Sequence, residues 1–274
     1  MPHYRISLAY DGTDFVGWQR QANGISIQGL IEDALAKLDG RAVAVAGAGR
    51  TDSGVHALGQ VAAFTLERSM PAEAVLRALN AQLPDAIRIT SAENAPASFH
   101  PRFAAQSKTY RYRILNTEVA SPFERRYAWH VPGALDVAAM NEAARMLEGE
   151  QDFAAFQATG SDVASTVRRI TTSRIAECGL RVDWGFGDCG SEAGDQSAIR
   201  KPQSALLVYT VTGSGFLRHM VRTIAGTLVE IGRGRRTADS MAHLLVLRDR
   251  AQAGPTAPAS GLFLVGVDYG PVCS

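Results

Sequence analysis

The chain has 274 residues, of which 46% are hydrophobic and 20% are charged, and its formal net charge is +1. This length can bury a sizeable core and form two domains of ordinary size, whereas a charge so close to zero excludes a uniformly basic coat for nucleic acid. No apolar run approaches the roughly 18 residues of a membrane span, and the N-terminus enters a strand pattern, so we expect a cytoplasmic protein without a membrane partner.

The first hundred residues predict alternating strands and helices. Tyr4 to Tyr10 alternates with period two, as a half-buried strand does. Ser26 can cap a helix that Asp39-Gly40 ends, and Val43 begins a second strand that runs into a glycine-rich loop. The remaining predicted elements of this half are a strand at 60–65, a helix at 71–83 and a strand at 87–90. This order is that of the ferredoxin-like split unit.

Residues from about Lys108 onward predict a second unit of the same kind. Its predicted strands lie at 108–116, 166–177, 205–212 and 262–269, and its predicted helices at 136–148, 215–231 and 239–248. The four glycines between Gly185 and Gln203 indicate an exposed inserted loop at about 185–203, to which we assign no chemistry. We therefore predict an α/β (α+β) fold of two ferredoxin-like halves, 1–105 and 106–274, whose mainly antiparallel sheets face a central catalytic cleft.

Two stretches concentrate basic residues. Residues 102–126 carry six basic and two acidic residues with aromatic residues interleaved, and residues 215–236 carry five basic residues and one acidic residue. Arginine and lysine bind phosphates while aromatic rings stack on bases, so the two stretches together indicate a polyanionic partner such as RNA. For either stretch alone, a solvated surface is the alternative interpretation.

A glycine-flanked turn carries the best candidate for chemistry. Gly47-Ala48-Gly49 precedes Arg50-Thr51-Asp52-Ser53-Gly54. A phosphate-binding loop needs lysine and then serine or threonine after its last glycine, but Val55-His56 follows Gly54. The dinucleotide fingerprint needs a third glycine at the position of Asp52. We therefore expect no nucleotide cofactor. What remains is the carboxylate of Asp52, beside Arg50, on a turn where backbone can approach a substrate closely. A structural turn or ion-pair residue is the alternative interpretation of such an aspartate.

Signatures of other enzyme classes are missing from the sequence. The six histidines form no H-E-x-x-H pattern and no serine lies in a G-x-S-x-G elbow, so we expect structural histidines and no metal site. Cys178, Cys189 and Cys273 form no C-x-x-C pair, and we expect free thiols. Asp11 and Asp14 can pair with Asp52 as two carboxylates do in glycoside hydrolysis, which leaves a glycosidase or N-glycosylase as an alternative.

The segment GRTDSGVHA at 49–57 resembles the active-site motif of the tRNA pseudouridine synthase A family. Three other stretches resemble the same family: YRISLAYDGTDFVGW at 4–18, GFLRHMVRTIAG at 215–226 and TAPASGLFLVGVDY at 256–269. The four ordered motifs extend over nearly the whole chain, and the long loop at 185–203 is the departure from the pattern. The resemblance implies the pseudouridine synthase fold, a homodimer, no cofactor, and a tRNA substrate modified at positions 38, 39 and 40 of its anticodon stem-loop.

The resemblance also implies roles for individual residues. Asp52 matches the catalytic aspartate, Tyr110 in the segment KTYRY matches the base-stacking tyrosine, and Arg222 matches the arginine paired with that aspartate. Arg222 would keep Asp52 ionised, and the Tyr110 hydroxyl would help to remove the proton from C5 of uracil. The substrate-binding residues that we expect are Arg50, Lys108, Tyr110, Arg111, Arg218 and Leu262. A noncatalytic RNA-binding module is a second alternative, which the missing aromatic RNP1 pattern disfavours.

Overall fold

The backbone of a computed structural model, described for residues 1–160, 163–179 and 205–270, alternates strands and helices as the sequence patterns predict. The strands are β1 (His3–Tyr10), β2 (Ala46–Gly47), β3 (His56–Thr65), β4 (Ile87–Ala95), β5 (Ser107–Asn116), β6 (Trp129–His130), β7 (Gly149–Asp152), β8 (Val167–Gly179), β9 (Ala205–Gly213) and β10 (Leu262–Asp268). The helices are α1 (Ile27–Asp39), α2 (Ala72–Gln82), α3 (Val137–Arg145), α4 (Met220–Gly232) and α5 (Ser240–Leu247). None of these described helices is long and apolar enough to cross a membrane.

All of these strands belong to one sheet, in the order β4-β1-β3-β10-β5-β9-β8-β7, with β2 paired to β3 and β6 paired to β5. The last strand of the described residues, β10, pairs antiparallel with β5 and parallel with β3. The predicted mixed α/β class with mainly antiparallel strands is confirmed. Strands from both predicted halves therefore meet edge to edge along β10, while the division near residue 105 stays a prediction.

Local sequence signals account for α1 at both of its ends. The Ser26 hydroxyl accepts the N–H of Gly29, which satisfies one free donor of the first turn. Gly40 has a φ of 78°, a left-handed conformation that glycine adopts at low cost, and its N–H donates to Ala36 O. The predicted cap and stop of this helix are both confirmed.

Other boundaries differ from the prediction for physical reasons. The helix predicted from Gly215 begins only at Met220, because His219 has a φ of 63° and cannot continue a right-handed helix. The strand predicted from Gln60 begins at His56, and Val43 packs in the core before the short ladder of β2 starts. β6 and β7 are too short to carry a sequence pattern. The predicted loop at 185–203 lies outside the described residues, as do Cys189 and Cys273, while Cys178 is a free thiol.

The helix α4 packs in the core and contacts the segment that leads into β10. It is buried along almost its whole length, and it contacts both α3 and β5. Thr227 on α4 accepts the N–H of Gly254 at 3.0 Å, and Ala257 donates its N–H to Arg222 O at 3.1 Å. This close contact requires a glycine, because a β-carbon on Gly226 would lie 1.8 Å from the carbonyl oxygen of Pro255.

Replacing Gly226 with alanine should therefore destabilise the protein. The added methyl group forces the backbone of 254–257 away from α4, and overpacking of this kind costs about 1–3 kcal/mol, more than the roughly 1 kcal/mol that alanine contributes to a helix. Urea denaturation would measure the change in the free energy of unfolding. The matched control is Gly266→Ala on β10. At Gly266 an added β-carbon meets nothing within 4 Å and φ is not positive, so this variant should have the free energy of unfolding of the wild type. Equal stability of the two variants would contradict this packing.

Candidate active site

Asp52 lies in the loop between β2 and β3, and the segment before α1 packs tightly against that loop. The N–H of Trp18 donates to Thr51 O at 3.1 Å. A β-carbon on Gly17 would lie 2.6 Å from the same oxygen, and Gly17 has a φ of 109°. The penultimate residue of the motif at 4–18 is thus a glycine that lets a second chain segment touch the backbone beside Asp52.

Buried hydrogen bonds hold the loop from the side of the core. The fully buried Gln60 on β3 donates from Nε2 to Gly49 O at 2.9 Å, and the Tyr10 and Thr51 hydroxyls lie 2.8 Å apart. Burial raises the pKa of Tyr10 to about 12, so its hydroxyl stays neutral. These hydrogen bonds hold the backbone at Gly49 and Thr51, on the N-terminal side of Asp52.

Two side chains from the start of α4 reach the carboxylate of Asp52. Nη1 of Arg222 and Nε2 of His219 each lie 3.6 Å from Oδ2 of Asp52. The Arg222 Nε–H donates to Ala257 O at 2.8 Å, which anchors the guanidinium so that Nη1 faces Asp52. The side chain of Asp52 is 28% exposed and that of Arg222 16%, so the ion pair is partly desolvated and remains open to a ligand.

Tyr110 on β5 lies near the same carboxylate. Its ring is 7% exposed and meets Phe216 edge to face, with the ring centroids 5.0 Å apart. Burial raises the pKa of Tyr110, and Tyr10 and the charge of Asp52 raise it further, so the phenol stays protonated. Leu262 is buried at the start of β10, opposite Tyr112 on β5.

The basic side chains expected to bind substrate have different positions. Lys108 is half-buried, and its Nζ lies 3.5 Å from where a β-carbon of Gly49 would be. Burial lowers the pKa of Lys108, and Arg102 nearby lowers it further. Arg50 and Arg218 are exposed. Arg111 follows Tyr110 directly on β5, so strand alternation directs it to the opposite face of the sheet.

Part of the predicted basic surface is neutralised by carboxylates. Four arginines of the two basic stretches form ion pairs with Asp14, Glu124 or Glu230: Arg113, Arg126, Arg233 and Arg235. Arg50, Lys108 and Arg218 have no carboxylate partner among the described residues. The cations that remain available to an anionic ligand therefore include Arg50, two residues before Asp52, and Lys108, which lies beside Gly49 of the same loop.

Known proteins match nearly the whole chain. The sequence matches the family described as tRNA pseudouridine synthase over residues 6–104 and 143–270. A Solibacter usitatus protein named tRNA pseudouridine synthase A is 47% identical over 272 residues, covering 98% of this chain and 100% of that protein. Proteins of the same name are 45% identical over 265 residues in Geobacter sulfurreducens (97% and 98% covered) and 40% identical over 270 residues in Lacticaseibacillus casei (98% and 100% covered). The chain belongs to the tRNA pseudouridine synthase A family. It is therefore an enzyme of the isomerase class.

Sequence reasoning missed one side chain of the synthase's candidate site. The histidines were expected to be structural, yet His219 contacts Asp52 as closely as Arg222 does. The available signal was spacing: His219 precedes Arg222 by three positions in the motif at 215–226, so in the helix predicted from Gly215 both side chains would lie on one face.

His56, at the start of β3, has the structural role expected of the synthase's histidines. Its Nε2–H donates to Arg126 O at 3.0 Å, its Nδ1 accepts the N–H of Gly12 at 3.1 Å, and its ring stacks on Phe263 with centroids 4.6 Å apart. Burial lowers the pKa of His56, although Asp11, 3.1 Å from Nδ1, offsets part of that effect. The neutral ring joins the strand that follows Asp52 to β10 and to the 126–127 segment.

The stability of the synthase should therefore decrease in mild acid. Because the pKa of His56 is lowered on folding, the unfolded chain takes up a proton near pH 6.5 that the folded chain refuses until a lower pH. The free energy of unfolding should fall through that window, by at most about 1.4 kcal/mol per pH unit from this group. Urea denaturation of wild type and His56→Gln between pH 7.5 and 5.5 would measure it. The variant should be less stable at neutral pH but show a shallower pH dependence, and parallel curves would contradict the assignment.

Proposed function

We propose that the enzyme isomerises uridine to pseudouridine in tRNA with Asp52 as the nucleophile, and that it acts at positions 38, 39 and 40 of the anticodon stem-loop. The observation that carries the proposal is the convergence of Arg222 and Tyr110 on Asp52 in a chain of this family. The stem-loop positions rest on the resemblance of the motifs. A cytoplasmic homodimer is proposed on the same ground, and sedimentation equilibrium, with a mass of twice 29.3 kDa expected, tests the dimer.

The proposed reaction needs neither redox chemistry nor an energy source. The bond between C1′ of ribose and N1 of uracil breaks, the base turns, and C1′ rejoins through C5. C5 loses a proton and N1 gains one, so atoms and charges balance. A carboxylate can attack the sugar or the base, or assist elimination to a glycal, and each route uses Asp52 in its ionised form. The guanidinium of Arg222 lies 3.6 Å from Oδ2 of Asp52 and forms an ion pair with that carboxylate.

Tyr110 has a ring and a hydroxyl that suit two different steps. The ring at the edge of the site can stack on the uracil that leaves its helix. The hydroxyl is protonated at rest, because burial and the charge of Asp52 raise its pKa. It can therefore accept the C5 proton only while it passes its own proton on, and the nearby Asp52 carboxylate is a suitable acceptor.

The free energy gained from phosphate contacts has to offset the free-energy cost of extracting the target base from its stack. Flipping a nucleotide out of its stack costs a few kcal/mol. Lys108 lies beside Gly49 of the Asp52 loop, and Arg218 directly precedes His219. Neither has a carboxylate partner among the described residues, which suits them to phosphates. Arg50, exposed beside the loop, can fill the vacated position or hold the backbone.

The two other candidate carboxylates, Asp11 and Asp14, do not suit the glycosidase alternative. Asp11 accepts hydrogen bonds from Thr13 and from the Tyr127 hydroxyl, and these bonds outweigh the effect of burial and lower its pKa. A glycosidase acid needs a raised pKa. Asp14 lies on the surface 3.9 Å from Arg126. Asp11 therefore lacks the raised pKa of such an acid, and Asp14 is held in a surface ion pair, so neither carboxylate suits an acid paired with Asp52.

The Asp52→Asn variant should bind tRNA and fail to convert it. Asparagine has nearly the same shape but offers no carboxylate, while affinity comes from the basic side chains, so tRNA affinity should stay close to wild type and fall steeply with salt. Nucleoside analysis and filter binding would measure the two properties on one transcript with uridines at 38, 39 and 40. Wild-type enzyme should modify those positions and leave a transcript with cytidines there unmodified.

The matched control is Asp14→Asn, which removes an exposed carboxylate from a neighbouring loop and should convert tRNA like the wild type. Conversion by Asp52→Asn at the wild-type rate would overturn the role of Asp52. Modification confined to other positions would overturn the stem-loop assignment alone.

A further inference from the structure

We propose that His219 is a positioning residue, whose Nε2–H, together with Arg222, fixes the Asp52 carboxylate for attack on the bound uridine. The inference rests on the proposed role of Asp52 as the reacting group. His219 is the residue immediately before α4, and its side chain is 27% exposed, so it lines the same open site as Asp52.

The first argument is the convergence of two nitrogens on one oxygen. The closest contacts of His219 and Arg222 with Asp52 both involve Oδ2, each at 3.6 Å. This separation exceeds a hydrogen bond, but catalytic hydrogen bonds are often long without substrate and shorten in the complex. Two donors on Oδ2 limit rotation of the carboxylate and leave Oδ1 as the oxygen that faces the substrate.

The second argument is the backbone conformation of His219. Its φ of 63° and ψ of −4° lie in the left-handed region, which among the described non-glycine residues only His219 and Arg248 adopt. A side chain in this region has a conformational cost that glycine avoids and asparagine reduces. If the entry into α4 needed only the left-handed turn, either of those residues would serve better. An imidazole at this position is therefore consistent with a function of the side chain.

The third argument is the charge of the imidazole. The groups that face it are Asp52, Arg218 and Arg222, and Arg250 from the turn before β10. Burial lowers the pKa of His219, Asp52 opposes that shift, and the three arginines reinforce it, so the ring is neutral at neutral pH. A neutral N–H can orient a carboxylate without adding a second full positive charge, and this preserves the reactivity of the anion.

Two amides of different length separate positioning from a purely structural role. In His219→Gln the amide nitrogen takes the place of Nε2 and can still reach Asp52. In His219→Asn the amide nitrogen takes the place of Nδ1 and cannot reach the Asp52 carboxylate, although asparagine tolerates the left-handed backbone better than histidine. The proposal therefore predicts that glutamine retains a kcat within a few-fold of wild type, while asparagine lowers kcat on the order of 10- to 100-fold with KM for tRNA unchanged.

The reverse order, or equal kcat values for the two variants, would overturn the proposal. Urea denaturation of both proteins checks that each is folded. If the asparagine variant does not fold, His219→Gly replaces it, because glycine adopts the left-handed turn freely; the same loss of kcat supports positioning and a wild-type kcat rejects it. The Asp52→Asn variant, assayed alongside, separates the two hypotheses: if it converts tRNA normally the proposed function fails, whatever His219 does.

Discussion

The pairing of β10 with both β3 and β5 is the constraint on which the rest of the site depends. Phe263 on β10 is aligned with His56, just after the Asp52 loop, and Leu264 is aligned with Tyr110. The segment before β10 also holds α4, through the paired hydrogen bonds between Arg222 and Ala257. The strand β10 and the segment before it thus bring the Asp52 carboxylate, from the loop before β3, together with the Tyr110 ring on β5 and the side-chain nitrogens of His219 and Arg222.

Neutral and charged groups are separated within the site. Beneath the loop, Tyr10, Thr51 and Gln60 are joined by hydrogen bonds between uncharged groups, so the position of the backbone does not depend on ionisation in the working pH range. The charged pair of Asp52 and Arg222 lies on the open side. Elsewhere arginines such as Arg20 and Arg41 form ion pairs with neighbouring carboxylates. A polyanion would therefore meet Lys108 next to the Asp52 loop, a cation without a carboxylate partner among the described residues.

Much of the fold was predictable because its signals are local. The cap of α1 at Ser26, its stop at Gly40 and the alternation in β1 each depend on a few adjacent residues. The place of β10 inside the sheet was not predictable in this way, since it depends on pairing between distant segments. Within the site, the motifs identified Asp52, Tyr110 and Arg222 as candidates, but the contact of His219 depends on where α4 begins. Both Tyr110 and Arg111 were expected to bind substrate, although strand alternation directs these neighbours to opposite faces of the sheet.

The proposed isomerisation at Asp52 requires a change in the substrate that hydrolysis of the glycosidic bond does not. The hydrogen on C5 of uracil must leave, because the bond to C1′ takes its place, and the base must stay attached to the tRNA. The most direct measurement is therefore incubation of the pure enzyme with tRNA that carries tritium at C5 of its uridines. Tritium should appear in water in a one-to-one ratio with pseudouridine, without free uracil. Release of free uracil, with tritium retained on it, would contradict the account and favour an N-glycosylase.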